Sequence, residues 1–432
     1  MSASEPEHLR LTYPRVLSIN SQPIGKNCAT GLTMASLFRN WPSDHLAQIH
    51  LDEHDSSSMT CLKSSWQLRR EHLRMPAVCK RIISEPCSSR VLRRVILALA
   101  RYSSHELSAQ MRKWISDFNP DVIYSALEDP YITRLVLDVS RQFSIPAVPH
   151  FMDDWMRTPF DRNQCTDPLR IRLVRDSLFL IRKSAVRMSI GAAMSKEYQR
   201  RYGRPFVPFM CCVDTHTHPV YPNPSVRSPM VFAYIGGLHL GRVSPLLDIA
   251  EALMDLGSQG FMGEIVIYAQ DGRGAIDPCL LNHPAVRPAS IDEIKLKNTS
   301  HTPIDCLIHV ESFEPDIIEY TRYSMSSKLP WMMATGIPIF AYGPVEASTM
   351  EYIKSHGCGM AIDRRDSALL TCGLRRLMTD TDLRASLGAR GRQVAEANHE
   401  VSIVCESFRR SLVNAASSAI VDNKATARHA LF

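Results

Sequence analysis

Short apolar runs alternate with segments of helical spacing through the first half of the chain. Buried-strand patterns occur at RVLSIN (15–20), LAQIHL (46–51), DVIYSAL (121–127) and IPAVPHFM (145–152). LTMASLFRNW (32–41) has apolar residues at helical spacing, and a helical pattern separates the last two strands. Strands that alternate with helices in this way predict parallel βαβ units.

The alternation stops at DTHTHPVYPNPSVRSP (214–229), which is rich in proline, threonine and histidine and lacks apolar periodicity. It then resumes with strand patterns at MVFAYIGG (230–237), GEIVIYAQ (263–270), IDCLIHV (304–310) and IPIFAY (337–342). Helical patterns lie between and after these strands. The whole pattern predicts two doubly wound α/β domains in tandem, whose strand-end loops face a cleft.

The same pattern sets the expected domain boundaries. We expect a first domain at 1–214, a linker at 215–229 and a second domain at 230–395. A C-terminal helix at 396–415 is expected to pack back on the first domain, and residues 416–432 are expected to form a disordered tail.

Composition places the protein among soluble globular chains. The 432 residues are 45% hydrophobic and 22% charged, and the length is too great for one ordinary core. No apolar run approaches the roughly 20 residues that span a bilayer, and the first dozen residues lack the apolar core of a signal peptide. The 12 cysteines show no C-x-x-C spacing, which argues against a zinc or redox motif. We therefore expect a cytoplasmic protein.

The net charge of +6 is concentrated in two basic groups with helical apolar spacing. Such helices either present a solvated face or rest on anionic lipid, so peripheral association with the inner face of a membrane stays open. No nucleic-acid motif accompanies the arginines, and no nucleic-acid partner is expected. The first group is Arg69, Arg70, Arg74, Lys80, Arg81, Arg90, Arg93, Arg94 and Arg101, and the second is Arg170, Arg172, Arg175, Arg182, Lys183 and Arg187.

Two cations stand where helices are predicted to begin. In YSMSSKLPWMMATGIP (323–338), Ser326 and Ser327 have the character of N-cap residues, Lys328 falls in the first turn, and Gly336 ends the helix. Arg242 follows Gly236 and Gly237 at the start of another helix. A cation is unfavourable at a helix N-terminus unless an anion binds there. A solvated lysine is the alternative, but two such cations in one domain predict a diphosphate site.

Three other strand-end loops carry candidate residues. SQPIGKNCATG (21–31) contains Gly25, whose backbone could approach a ligand. Asp153 and Asp154 follow a strand in the first domain and could bind a metal, position a hydroxyl, act as a base or cap a turn. Glu311 and Glu314 follow a strand in the second domain.

These residues resemble the GT-B glycosyltransferases, and most closely the retaining family 4. The resemblance is carried by AYIGGLHLGR, IDCLIHV, SMSSKLPWMMATGIPIFAYGP and LMTDTDLRASLGARGRQVAEANH, and more diffusely by NPDVIYSALEDP and IPAVPHFMDDW. It implies two Rossmann-like domains, the first for the acceptor and the second for a nucleotide-sugar donor. The implied reaction moves a sugar to a glycan or lipid-linked acceptor with retention, in cell-surface polysaccharide or glycoconjugate synthesis, without a metal or other cofactor.

The resemblance also assigns roles. Arg242 falls at the family's diphosphate-binding cation, and Lys328 with the Ser326–Ser327 turn falls at a second phosphate-proximal site. Gly25, Gly236 and Gly237 border the donor. The candidate catalytic carboxylates are Asp153, Asp154 and Glu311.

Two positions depart from the family pattern. Trp331 stands where the family has a ribose-binding glutamate, and Gly237 stands where many members have an arginine. Either the donor is held differently, with Glu311, Glu314 or Glu346 taking part, or activity is weakened. Two other functions stay open: a nucleotide-sugar epimerase of the same architecture, and a non-catalytic binding or scaffold subunit.

Overall fold

The computed structural model describes residues 13–25, 28–51, 64–67, 73–74, 106–157, 168–218, 220, 228–269, 276–290 and 304–429. The chain divides into two compact units, one formed by Met1–Cys211 with Val404–Phe432 and the other by Cys212–Ile403. All residues of the first basic group except Arg74 lie outside the described residues, as do residue 219 and residues 221–227 of the expected linker.

The described part of unit 1 contains a parallel sheet with helices between its strands. The sheet order is β3-β2-β1-β6-β7-β8-β9, and β4 pairs separately with β5 in an antiparallel bridge. The strands are β1 (Val16–Asn20), β2 (Leu46–His50), β3 (Ser64–Gln67), β4 (Leu73–Arg74), β5 (Glu106–Leu107), β6 (Val122–Ala126), β7 (Ala147–Phe151), β8 (Met188–Ser189) and β9 (Val207–Pro208). The helices are α1 (Ala29–Leu37), α2 (Ala109–Phe118), α3 (Pro130–Phe143), α4 (Pro168–Lys183) and α5 (Ala192–Tyr202), with a 3-10 turn at Ser43–His45.

Unit 2 contains a second parallel sheet, of order β12-β11-β10-β13-β14-β15 in the described residues. Its strands are β10 (Met230–Ile235), β11 (Gly263–Ala269), β12 (Val286–Ser290), β13 (Cys306–Val310), β14 (Ile339–Tyr342) and β15 (Met360–Ile362). Its helices are α6 (Val243–Ser258), α7 (Pro278–Leu281), α8 (Pro315–Thr321), α9 (Leu329–Ala334), α10 (Ser348–His356), α11 (Ser367–Thr379) and α12 (Thr381–Asn398). The predicted class, two doubly wound α/β domains, is confirmed.

Alternating side chains of the unit 2 strands pack on opposite faces of the sheet. Phe232 and Tyr234 of β10 join a core with residues of α6 and α11, whereas Val231 and Ala233 join a core with residues of α9 and α12. Both faces are therefore covered, as parallel sheets require, and this explains why their strands read as continuous apolar runs.

The last helix, α13 (Val401–His429), carries the chain from unit 2 back into unit 1. Its Phe408 is fully buried and contacts the Phe38 ring edge-on, with the centroids 5.0 Å apart. Leu412 and Ala415 belong to the same core. The helix extends through most of the segment 416–432 that was expected to be disordered, and no glycine or proline interrupts it.

Polar contacts attach the start of the expected linker, at Thr215, to the C-terminal helices of unit 2. Thr215 donates its backbone N–H to Glu400 Oε2 at 2.8 Å and also donates its hydroxyl to that oxygen. Arg392 donates to the Thr215 carbonyl and, at 2.6 Å, to the Ala334 carbonyl. None of the helices in the described ranges combines the length and apolar character needed to cross a membrane.

Candidate functional site

The candidate site of unit 2 lies where its strand order reverses. β10 is the first strand of the unit and has β11 on one side and β13 on the other. Loops that leave neighbouring parallel strands in opposite directions open a crevice at their carboxyl ends, which is the usual ligand site of such sheets. The loop after β10 carries Gly236 and Arg242, and the loop after β13 begins at Glu311.

Glycines shape the loop that follows β10. Gly236 has φ of +139° and Gly241 has φ of +66°, backbone conformations that side chains with a Cβ rarely adopt. A Cβ on Gly241 would lie 2.5 Å from Ser312 Oγ, so the β10 loop packs closely against the β13 loop. The predicted helix start is confirmed, because α6 has Arg242 as its N-cap.

Lys328 reaches the β10 loop from α9. Its Nζ donates a hydrogen bond of 2.9 Å to the Ile235 carbonyl and lies 5.7 Å from the centre of the Tyr234 ring. A Cβ on Gly236 would lie only 1.8 Å from this Nζ. The absence of a side chain at Gly236 is therefore what allows the ammonium group to occupy this place.

Glu311 is the carboxylate beside these cations. Its Oε2 lies 3.8 Å from Arg242 Nη2, and its Oε1 lies 3.1 Å from His309 Nε2. The side chain is 8% exposed, and within the described residues its Oε2 accepts no hydrogen bond. His309 is the residue that sequence reasoning missed; it precedes Glu311 by two positions at the end of β13, which was the available signal.

The charges of this cluster do not balance. Burial lowers the pKa of Lys328 to about 8, with the Arg242 charge as a further cause and Glu311 opposing them. Burial would raise the pKa of Glu311, but His309, Arg242 and Lys328 together hold it below its ordinary value. Two cations thus share one carboxylate in a buried place, and the arrangement can accept an additional anion.

The helix after the serine turn differs from the sequence prediction. A serine N-cap was wrong: Lys328 is the N-cap residue, its side chain forms no capping bond, and α9 starts at Leu329 with Pro330 in its first turn. Ser326 is not the N-cap residue of α9; its backbone N–H donates a hydrogen bond of 3.2 Å to Thr349 Oγ1. Ser327 is half-buried. The predicted stop at Gly336 is confirmed by its φ of +73°.

The two departures from the family pattern have structural explanations. Trp331 is partly buried against the core that contains α9, and its ring lies edge-on to His218 with the centroids 5.9 Å apart. A Cβ on Gly237 would lie 2.5 Å from His239 Nδ1. Neither position therefore offers a charged group to a ligand.

Unit 1 has a polar cluster at its own strand-order reversal, between β1 and β6. Glu128, which follows β6, accepts hydrogen bonds from Ser21 after β1 and, at 3.3 Å, from Thr30 in α1. Gly25 has φ of +85° and donates its backbone N–H to the Gly31 carbonyl. Burial, and to a lesser degree the Asp153 charge, raises the pKa of Glu128. Sequence reasoning missed Glu128, although it directly follows a predicted strand.

Asp153 and Asp154 have different surroundings. Asp153 is half-buried near Glu128, whereas Asp154 is 1% exposed and accepts two hydrogen bonds of 2.9 Å from Arg201. Tyr198 donates a third hydrogen bond of 2.9 Å to Asp154. Burial would lower the pKa of Arg201, but Glu197 and Asp154 raise it above its ordinary value. The contacts of Asp154 are those of a structural ion pair.

A metal site would need several ligating side chains that converge. In the described part of the chain, His, Cys, Asp and Glu side chains form no group of three or more that is placed to hold a metal ion.

Comparisons with known proteins bear on the fold. The sequence matches no family model and no curated protein. The structure is similar to that of Alr3699/HepE from Anabaena in complex with UDP, with a TM-score of 0.63, 12% identity and coverage of 92% of this chain and 99% of that one. It is also similar to a sucrose-phosphate synthase from Thermosynechococcus elongatus, with a TM-score of 0.58, 10% identity and coverage of 92% and 98%.

A third solved structure agrees with these two. A glycosyltransferase from Rickettsia africae superimposes with a TM-score of 0.57, 10% identity and coverage of 93% of this chain and 99% of that one. Identities this low establish the fold, and the retaining family 4 assignment stays a prediction. The chain has the GT-B fold of these solved glycosyltransferases.

Proposed function

We propose that the protein is a glycosyltransferase that moves a sugar from a nucleotide-sugar donor to a glycan or lipid-linked acceptor. The observation that carries this proposal is the convergence of Arg242 and Lys328 with one buried carboxylate at the strand-order reversal of unit 2. Alr3699/HepE, which has the same fold, has been solved with UDP and with UDP-glucose. We extend that donor class to this chain.

Arg242 and Lys328 would bind the donor diphosphate. Arginine offers a planar fork to phosphate oxygens and lysine a point charge, so the pair matches a diphosphate in both charge and shape. Negative charge develops on the departing nucleoside diphosphate as the glycosidic bond breaks. Cations that are already in place at that point stabilise the transition state more than the ground state.

Glu311 would take the place of the family glutamate that Trp331 replaces. Its Oε2 accepts no hydrogen bond from the described residues, and the side chain is held by His309 on its other oxygen. A buried carboxylate oxygen with capacity to accept suits a hydroxyl of the donor ribose or sugar. Glu314 and Glu346 are exposed residues and fit this role less well.

The acceptor side is assigned to unit 1. Glu128, held by Ser21 and Thr30 beside the Gly25 loop, is suited to orient an acceptor hydroxyl. We further propose that transfer proceeds with retention and without a metal, that the product belongs to cell-surface polysaccharide or glycoconjugate synthesis, and that the enzyme works at the cytoplasmic face of an anionic membrane. The exposed members of the second basic group on α4, Arg175, Arg182 and Lys183, support the membrane association. Arg187 of that group follows α4, is buried and donates hydrogen bonds to the Ile181 and Pro205 carbonyls.

The first test is thermal stability of the full chain against uridine, adenosine, guanosine and cytidine diphosphates. A ligand at about 100 times its dissociation constant adds roughly 2.7 kcal/mol to the free energy of unfolding. We expect one diphosphate to stabilise the wild type and the Arg376→Ala control, which removes an exposed arginine of the same unit. Arg242→Ala and Lys328→Ala should lose that stabilisation.

Two results would contradict the donor site. One is that no diphosphate stabilises the wild type; the other is that all three variants respond alike. Turnover of the matching nucleotide-sugar, with the anomeric configuration of the product read by NMR, then tests transfer and retention.

A non-catalytic GT-B subunit is the second candidate, favoured by the apolar packing of Trp331. Diphosphate binding with no transfer to any acceptor and no hydrolysis would support it. The epimerase alternative needs an acid and a base beside the sugar. The structure favours it less, because the Asp154 carboxylate is occupied by Arg201 and Tyr198.

A further inference from the structure

Tyr234 interacts with both cations of the candidate donor site, and the transfer step proposed above does not use it. It is the fifth residue of β10 and is 3% exposed, so its ring belongs to the core that also contains residues of α6 and α11. Arg242 precedes α6 and Lys328 precedes α9, so the two cations are carried by different helices. A side chain packed in the core is a fixed point to which groups from separate helices can be attached.

The ring of Tyr234 contacts Lys328. The ammonium nitrogen lies over the ring, 5.7 Å from its centre, which is within the distance at which the negative face of an aromatic ring attracts a cation. The same nitrogen donates a hydrogen bond of 2.9 Å to the carbonyl of Ile235, the next residue of the strand. Two consecutive residues of β10 therefore hold the ammonium group, one with its ring and the other with its backbone.

The hydroxyl of Tyr234 is directed toward the β10 loop. It donates a hydrogen bond of 2.6 Å to the Gly237 carbonyl. Burial raises the pKa of this hydroxyl to about 12, and the charge of Arg242 opposes the rise. The hydroxyl therefore keeps its proton at neutral pH and stays a donor. Burial would lower the pKa of Arg242, but Glu311 and Tyr234 raise it above its ordinary value. The phenol oxygen thus helps to hold the guanidinium group in its charged form.

The two cations need such support because they repel each other. After burial, the charge of Arg242 is the next cause that lowers the pKa of Lys328. One cation is enough to bind a monophosphate, whereas a diphosphate is matched by two cations at a set separation. A residue that fixes this separation should therefore affect the binding of a diphosphate more than the binding of a monophosphate.

We propose that Tyr234 is a positioning residue that holds Lys328 and Arg242 at the separation of a diphosphate, and that it thereby sets the preference of the site for a nucleoside diphosphate over the monophosphate. The inference rests on the proposed function of this site. Tyr234 acts through the two cations: its ring supports the ammonium group, and its hydroxyl supports the guanidinium group and the Gly237 carbonyl.

The test is calorimetric titration of the full chain with uridine, adenosine, guanosine and cytidine diphosphates and with the four matching monophosphates. Tyr234→Phe removes the hydroxyl and keeps the ring, and Tyr234→Leu removes both. Tyr352→Phe is the matched control, because it removes another hydrogen-bonded tyrosine hydroxyl from unit 2. That hydroxyl lies 2.7 Å from His399 Nε2 and accepts a hydrogen bond of 3.0 Å from Asn398. Urea unfolding establishes which variants are folded under the titration conditions.

We expect Tyr234→Phe to bind the preferred diphosphate about three- to tenfold more weakly than the wild type, which is the range that one net hydrogen bond corresponds to. Affinity for the matching monophosphate should change by less than about twofold, because one cation suffices for it. Tyr234→Leu should lose a further factor of about two to five for the diphosphate, since the attraction between the ring and Lys328 is then lost as well. Tyr352→Phe should bind both ligands as the wild type does.

Three results would overturn the proposal. If Tyr234→Phe binds the diphosphate as tightly as Tyr352→Phe does, the hydroxyl does not position the cations. Equal losses for the diphosphate and the monophosphate would show that Tyr234 supports the site without setting its preference. A Tyr234→Phe chain that no longer folds would give the tyrosine a structural role.

The same titrations distinguish this failure from failure of the proposed function. If no diphosphate binds the wild type, the donor site itself is refuted, and the role of Tyr234 with it. If the diphosphate is lost in Arg242→Ala and Lys328→Ala but is bound normally by Tyr234→Phe, the donor site stands and only the positioning role of Tyr234 is refuted.

Discussion

Gly236→Ala tests whether Lys328 is held in place for the donor. The added Cβ would lie 1.8 Å from Lys328 Nζ and 2.9 Å from its Cε, so the ammonium group has to leave the Ile235 carbonyl. The lysine side chain is flexible and can move toward solvent. The substitution therefore displaces the proposed phosphate ligand without removing any charged residue from the chain.

The expected magnitudes separate stability from binding. Alanine at φ of +139° costs about 1–3 kcal/mol in backbone strain. Loss of the hydrogen bond to Ile235 is offset by hydration of the released ammonium group, whose pKa of about 8 shows that its burial is unfavourable. Affinity for the diphosphate should fall by the value of one charge-assisted hydrogen bond, about 1.5–3 kcal/mol, or about 10- to 100-fold.

Gly260→Ala is the matched control. Gly260 also has a left-handed φ, +90°, and an added Cβ there would meet nothing within 4 Å. The control variant therefore carries backbone strain alone. Urea unfolding gives the stability of each protein, and calorimetric titration with the nucleoside diphosphate gives the affinity.

We expect the two variants to lose similar stability and only Gly236→Ala to lose affinity. If Gly236→Ala binds the diphosphate as tightly as Gly260→Ala does, Lys328 takes no part in donor binding. If instead Gly236→Ala fails to fold while Gly260→Ala folds, the Lys328 contact is a structural one.

Three further predictions concern charge and packing. Burial is the main cause that lowers the pKa of Lys328 from 10.5 to about 8, so between these pH values the unfolded chain holds a proton that the folded chain has released. The unfolding free energy of the wild type should therefore gain about 2.5 kcal/mol relative to Lys328→Met from pH 7 to pH 10 in urea titrations, and a constant difference would contradict the burial argument. Phe408→Ala should lower the free energy of unfolding by about 3–5 kcal/mol because the ring is fully buried. Ile403→Ala, at a side chain that is 55% exposed in the same helix, should lower it by less than about 1 kcal/mol. Comparable losses in the two variants would refute the packing of this helix into the unit 1 core. Asp154→Asn should lower the free energy of unfolding by about 3 kcal/mol, because the buried Arg201 loses one of its two carboxylate partners. Diphosphate binding should stay unchanged. An unaltered free energy of unfolding would return Asp154 to the catalytic candidates.

The sequence was sufficient for the fold because both faces of each sheet are covered. Strands such as β10 and β13 are buried on both sides and therefore appear as unbroken apolar runs. Strands at the sheet edges gave a weaker signal: β15 is three residues long and half-buried, and it was not predicted as a strand on its own. The extension of α13 to His429 was missed because its polar C-terminal half has no apolar periodicity.

The site was harder to predict than the fold. Arg242 and Lys328 were found because a cation at a helix N-terminus conflicts with the helix dipole, which is a local property of the sequence. The contacts between them depend on which strands are neighbours, a non-local property. His309 and Glu128 were missed for that reason, and Asp154 could not be distinguished from Asp153 until the Arg201 contact was visible.

Two buried charge clusters among the described residues illustrate what separates a structural ion pair from a binding site. In unit 1, Arg201 has two carboxylate partners, and they raise its pKa, so the folded state favours its charged form. In unit 2, Lys328 shares a single carboxylate with Arg242, and its pKa falls to about 8. The charged lysine thus lowers stability in the absence of a ligand. A fold retains such a group when an external anion completes the charge balance, and a donor diphosphate would do so while restoring the ordinary pKa of the lysine.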